Sequence, residues 1–173
     1  ERSGISHFKF LSVPERPAIP LKYPIPQQFG IDRYLDLLGA SHSYPGSLLI
    51  IDAGTAVTFD VLNAYGEHDG GFIFPRLKLL RDGLVSGTYG ISENRQGMPL
   101  RLLGRSTSEG ICGATQIGYV GAINAIVNGL QEEATEQLSI IVTGGDGEWL
   151  SGKMATSTIF DGNLLFRGMC EQL

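Results

Sequence analysis

Between Leu48 and Leu62 the chain reads Leu-Leu-Ile-Ile-Asp-Ala-Gly-Thr-Ala-Val-Thr-Phe-Asp-Val-Leu, and this run constrains the fold more than any other. Its apolar and β-branched residues favour strand, and the apolar run Leu48 to Ile51 delivers a carboxylate, Asp52, to the strand's end. An ionised carboxylate in such a place is costly unless something binds it. A turn at Asn63 to Gly66 follows, and His68 to Phe74 reads as the next strand. The connection is too short for a parallel crossover, so the two runs are expected as an antiparallel hairpin.

Elsewhere the apolar spacing is helical. Ile31, Tyr34, Leu35 and Leu38 fall at i, i+3, i+4 and i+7, which predicts a short amphipathic helix stopping at Gly39 before a polar loop, Ser41 to Ser47. Pro75 opens a second helix carrying Leu77, Leu80 and Leu84, and Gly87 to Gly97 reads as irregular. The clearest helix runs from Ala114 to Ala134 on the stripe Ile117, Val120, Ile123, Ile126, Val127 and Leu130. Leu138 to Val142 is a buried type of strand, ending in Thr143-Gly144-Gly145-Asp146 before a helical Glu148 to Lys153. Thr158 to Phe160 reads as a short edge strand and Asn163 to Gln172 as a closing helix. Hairpin order together with strand-helix order argues an α/β class with a mixed sheet.

Composition removes several function classes. The 173 residues, 42% hydrophobic and 18% charged, suffice for one ordinary domain or two small lobes and exclude disorder as the main state. Thirteen basic against eighteen acidic residues leave a net charge of −5, so neither nucleic acid nor an anionic membrane is an expected partner, and an anionic ligand would need local donors. Cys112 and Cys170 stand in no metal-ligand spacing, and a reducing compartment is the simplest reading. The longest apolar run falls far short of the ~20 residues of a membrane helix, so a soluble cytoplasmic protein is expected. Pro14, Pro17, Pro20, Pro24 and Pro26 read as extended backbone crossing a surface; a compact domain rarely begins so, and further chain is expected upstream.

Four motifs carry chemistry, each with a plainer reading beside it. In Asp52-Ala53-Gly54-Thr55, Asp52 can hold a cation, Gly54 lets backbone approach a phosphate and Thr55 offers a hydroxyl; the same pattern fits a strand-end Asp capping a bulge. Thr143-Gly144-Gly145-Asp146 after a buried strand fits an anion-contacting or adenosine-contacting turn and equally a tight turn without a ligand. Gly70-Gly71 before Phe72-Ile73-Phe74-Pro75 fits a close approach or a strand bulge. Asp32, behind Gly30 at a helix start, fits a base for a hydroxyl proton at a cleft rim, or a solvated first turn favoured by the helix dipole. His7, His42 and His68 share no spacing and receive no role.

Gly30-Ile31-Asp32-Arg33, Asp52 to Asp60, Gly70 to Pro75, Thr107 and Thr143-Gly144-Gly145, in this order and spacing, resemble the type III pantothenate kinases from about Tyr23 to the end of the chain. The resemblance implies the actin-like ATPase (ribonuclease H-like) fold, α/β with a mixed sheet. It divides the chain into 1–47, a remainder of an incomplete N-terminal lobe with the acceptor-substrate motif, and 48–173, the C-terminal lobe. It implies phosphorylation of pantothenate by ATP, the first step towards coenzyme A. Asp32 would be the catalytic base, with Tyr23, Gly30, Ile31, Arg33 and Thr107 at the pantothenate site. Thr55 would contact ATP, and Asp52 would bind a monovalent cation, potassium or ammonium, beside ATP with Mg2+. A homodimer is implied, with no nucleic acid and no membrane. The family's N-terminal Asp-x-Gly-Asn-Thr phosphate loop has no counterpart before Tyr23, Arg76 stands where the family has Gly, and Ser106 where it has Asn. These departures keep open a non-catalytic, regulatory relative of the same fold; a sugar or acetate kinase leaves Gly30 to Arg33 unexplained.

Overall fold

The structure, a computed structural model, describes residues 10–88 and 103–172. The irregular stretch expected from Gly87 to Gly97 lies, from residue 89 onward, outside them. Five strands form one mixed sheet: β1 (Leu48–Ala53), β2 (Ala56–Leu62), β3 (His68–Pro75), β4 (Ser139–Thr143) and β5 (Ile159–Phe160), in the order β3-β2-β1-β4-β5. β2 is antiparallel to both β1 and β3, whereas β4 is parallel to β1 and β5 to β4. The expected mixed sheet is present, with one correction. The run 48–62 is two strands, because the chain reverses at Gly54 and Thr55, where the Gly54 N–H donates to the Ala56 carbonyl at 3.0 Å. The hairpin is therefore a three-stranded meander.

Strand alternation sends successive side chains to opposite faces, and each face of this sheet is covered. Leu48, Ile50 and Ile141 pack beneath α1 (Ile31–Ser43) and α5 (Leu164–Gln172), in one apolar cluster with Val13, Ile19 and Phe29. On the other face Leu49, Ile51 and Phe59 pack with Tyr119, Ile123 and Val127 of α3 (Thr107–Glu133) and Leu150 of α4 (Gly147–Ser151), while α2 (Leu77–Ser86) contributes Leu77 and Leu80 at the margin. The proline-rich stretch is strapped across the first face: the Ala18 N–H donates to the Tyr34 hydroxyl at 3.0 Å, and the His68 N–H to the Pro20 carbonyl at 2.9 Å.

Two helices exceed their sequence signals. Gly39 does not stop α1, which runs to Ser43, because Gly39 is a packing residue: a Cβ built there would lie 2.3 Å from the Leu164 carbonyl oxygen of α5. The third helix starts at Thr107 rather than Ala114. The Ser106 side chain caps it, accepting from the Glu109 N–H, while Glu109 accepts from the Arg105 N–H. Its stripe also divides: Ile123 and Val127 are buried, whereas Ile117 is 51% exposed. By length and composition α3 is apolar enough to cross a membrane, but Tyr119, Ile123 and Val127 sit in the core against the sheet.

Candidate functional site

The start of α1 is held by a buried charge cluster. Arg33 donates from Nη2 and Nε to the two carboxylate oxygens of Asp60 on β2, at 2.6 and 2.8 Å, a bidentate pairing that fixes orientation as well as charge. Burial opposes the charge on Arg33, but the hydrogen bonds and attraction of Asp60, with smaller help from Tyr23, outweigh it and hold its pKa above the ordinary value. His68 Nε2 lies 2.8 Å from the same Asp60 oxygen. A carboxylate only accepts, so Nε2 donates, and Nδ1 is buried with no partner among the described residues. The guanidinium also donates to the Tyr23 hydroxyl at 3.1 Å and stacks 4.3 Å from the Phe29 ring centroid. Asp32, the residue before Arg33, is thereby left at the rim of a fixed helix start, exposed to solvent.

Asp52, the penultimate residue of β1, is half-buried, with no hydrogen-bond donor to its carboxylate among the described residues. Burial, then the charge of Asp32, pushes its carboxyl up to about 6. Gly144, at φ +88°, packs so close that a Cβ there would lie 2.2 Å from Asp52 Oδ1. The Asp146 N–H donates to the Ala53 carbonyl at 3.0 Å, tying the glycine turn after β4 to the end of β1. Beside this junction opens a cavity of about 270 Å³ lined by Ala53, Gly54, Thr55, Arg76, Gly145 and Asp146. An oxygen ligand with unmet charge fits a cation at Asp52, but among the described residues no three His, Cys, Asp or Glu side chains converge on a metal position. Asp52 would be one ligand, with oxygens of the substrate or water completing the shell.

The predicted residues fall into two groups. Tyr23, Gly30, Ile31, Asp32 and Arg33 gather at the start of α1, where Gly30 is the cap residue and Arg33 faces inward to Asp60. Thr55 lines the cavity beside Asp52, and the charge of Asp32 reaches Asp52, so the two groups border one region. Thr107 opens α3, exposed; α1 and α3 cover opposite faces of the sheet. Sequence reasoning passed over Asp60, His68 and Asp36. The alternation of β2 carried a signal for Asp60, since a carboxylate flanked by Phe59 and Val61 in a half-buried strand requires a partner.

A mixed sheet in the order β3-β2-β1-β4-β5 with helices on both faces belongs to the actin-like kinase fold; a Sinorhizobium meliloti structure described as a 2-dehydro-3-deoxygalactonokinase protein shares it at TM-score 0.50 and 16% identity, over 80% of this chain and 57% of its own. A Campylobacter jejuni structure described as a conserved Baf family transcriptional activator superposes at TM-score 0.61 with 25% identity, over 88% of this chain and 66% of that one. The family model for type III pantothenate kinase matches residues 5–129. Relatives of that name from Phenylobacterium zucineum and Colwellia psychrerythraea are each 33% identical, over 88% and 98% of this chain and 60% and 72% of their own lengths. The chain belongs to the type III pantothenate kinase family. It spans 60% of the Phenylobacterium relative and 57% of one from Hyphomonas neptunium.

Proposed function

We propose that the protein transfers the γ-phosphoryl group of ATP to the primary hydroxyl of pantothenate, giving 4'-phosphopantothenate and ADP, the first step towards coenzyme A. The observation that carries this reading is the exposed Asp32 carboxylate on a helix start locked by Arg33, Asp60 and His68, facing the same region as Asp52. In the step, the pantothenate hydroxyl oxygen bonds to the γ-phosphorus as the bond to the bridging oxygen of ADP breaks, and Asp32 accepts the hydroxyl proton. Tyr23, Gly30 and Ile31 border the acceptor. Arg33 serves it from behind, keeping Tyr23 and the helix start in place. Thr55 faces the nucleotide, and the charge of Asp52 suits potassium or ammonium. Mg2+ bound with ATP would offset phosphate charge. We assign residues 1–47 to the remainder of an N-terminal lobe and 48–173 to the C-terminal lobe of a cytoplasmic enzyme.

A homodimer is part of the proposal, since α3, which Thr107 opens, lies on the face of the sheet opposite α1, and a second copy offers the means to bring Thr107 to the acceptor site. The test is ADP release coupled to pantothenate, run with potassium, ammonium or sodium as the cation. Asp32→Asn should lower turnover by ~10²–10⁴ with ATP binding retained, because an amide cannot take the proton. Turnover near that of the parent would reject Asp32 as the base. A parent chain that binds ATP and releases no ADP would favour the non-catalytic relative.

A further inference from the structure

Arg76 enters the cavity at the end of β1 from the cap position of α2, and it is the one cation among the described residues lining it. Its only ion pair among the described residues is loose. Nη2 lies 3.8 Å from Asp146 Oδ2, beyond hydrogen-bond distance, and Nε is buried with no partner among the described residues. A guanidinium carries five N–H donors in a planar fork that matches phosphate oxygens, and here the residue lines a cavity shared with Thr55 and the exposed Gly145. The electrostatics give it a specific task. Asp146 lines the same cavity and Asp52 lies behind Gly144, so in a chain of net charge −5 an anion would be repelled were this position uncharged.

We propose that Arg76 is a phosphate-binding residue: its guanidinium turns from Asp146 to the phosphate chain of a nucleotide seated between Gly54-Thr55 and Gly145-Asp146. The inference rests on the kinase reading only for the identity of the phosphate carrier, because the geometry asks for a phosphate chain whatever becomes of it. A purely structural Arg76, tying α2 to the glycine turn through Asp146, makes the opposite forecast for the partner: removing either member of the pair would then do the same harm.

Metal-free tripolyphosphate separates the two, with binding followed by calorimetry and by the fluorescence of Trp149, whose ring lies 6.3 Å from Tyr119. Arg76→Gln should weaken tripolyphosphate about ten- to a hundredfold, the loss of a charge-assisted contact, and Arg76→Lys by less. Asp146→Asn should leave binding equal or tighter, since it removes a like charge and frees the guanidinium. Adenosine binding should not change in Arg76→Gln. Equal weakening by Arg76→Gln and Asp146→Asn, unchanged affinity in a folded Arg76→Gln, or a parent that does not bind tripolyphosphate would each overturn the proposal. Failure of the kinase reading is distinct: tripolyphosphate bound through Arg76 by a chain that releases no ADP with pantothenate rejects that reading and keeps this one.

Discussion

On α1 the i, i+4 pair Asp32 and Asp36 meets two different environments. Asp32 is open to water, whereas Asp36 is 2% exposed and neither of its carboxyl oxygens has a hydrogen-bond partner among the described residues. Burial, then the charges of Asp52, Asp32 and Asp60, push the Asp36 carboxyl up to about 8 from an ordinary 3.8. Between those values the folded chain holds a proton that the unfolded chain has released. Stability therefore falls as pH rises across that window, and the contribution of the neutral acid is lost as pH passes the folded value. Asp52, pushed up to about 6 mainly by burial, adds a slope of the same sign. Asp36→Asn should flatten the decline between pH 4 and 8, read as urea midpoints at several pH values, at up to roughly 1.4 kcal/mol per pH unit; a slope like that of the parent would place the titration elsewhere. None of this was legible in the sequence. Both residues read as acids early in a helix, and because 33–40 are buried all round, no polar face distinguished Asp36 from its neighbours.

At the scale of elements, the α1–α5 contact depends on two glycines that helix propensity alone would replace. A Cβ on Gly168 would lie 1.8 Å from the Leu35 carbonyl oxygen, and one on Gly39 would lie 2.3 Å from that of Leu164. Gly→Ala in a helix interior normally stabilises by about 1 kcal/mol, but here backbone meets backbone and one helix must shift, an overpacking cost of about 1–3 kcal/mol with apolar burial lost besides. Gly168→Ala should lower the thermal midpoint, whereas Gly83→Ala, in open space on α2, should raise it. A Gly168→Ala protein as stable as the parent would show that the helices can separate at little cost. Apolar spacing located α1, and continuous apolar or β-branched runs located β1 and β4, which are buried on both faces. The spacing ended α1 at Gly39 because a glycine that packs and a glycine that terminates are the same letter. The start of α3 was missed, because Gly110 and Gly113 interrupt the apolar stripe there; the signal that marked it was the cap, Ser106 three residues before Glu109.

For the whole molecule, the question is what covers the outer face of α3. Its apolar residues were legible as one stripe, but the structure sends them two ways: Ile123 and Val127 to the sheet, and Ile117 outward with Gly118, Gly121 and Ala125, all exposed along one side of the helix. Gly118 and Gly121 have open space where a side chain would stand, so a second helix can approach backbone to backbone, with Ile117 as its apolar contact. Such a face, on the helix that Thr107 opens, suits the proposed homodimer. The informative substitution is accordingly Gly121→Glu and not Ile123→Glu, since a charge at Ile123 would be buried under the sheet and would unfold the chain. Sedimentation at micromolar concentration should show the parent as a dimer and Gly121→Glu as a monomer, with the thermal midpoint measured below the dimer's dissociation range unchanged and pantothenate turnover reduced. A parent that is monomeric throughout, or a dimer indifferent to Gly121→Glu, would reject this face as the interface, and a parent that requires detergent to stay dispersed would assign it to lipid instead.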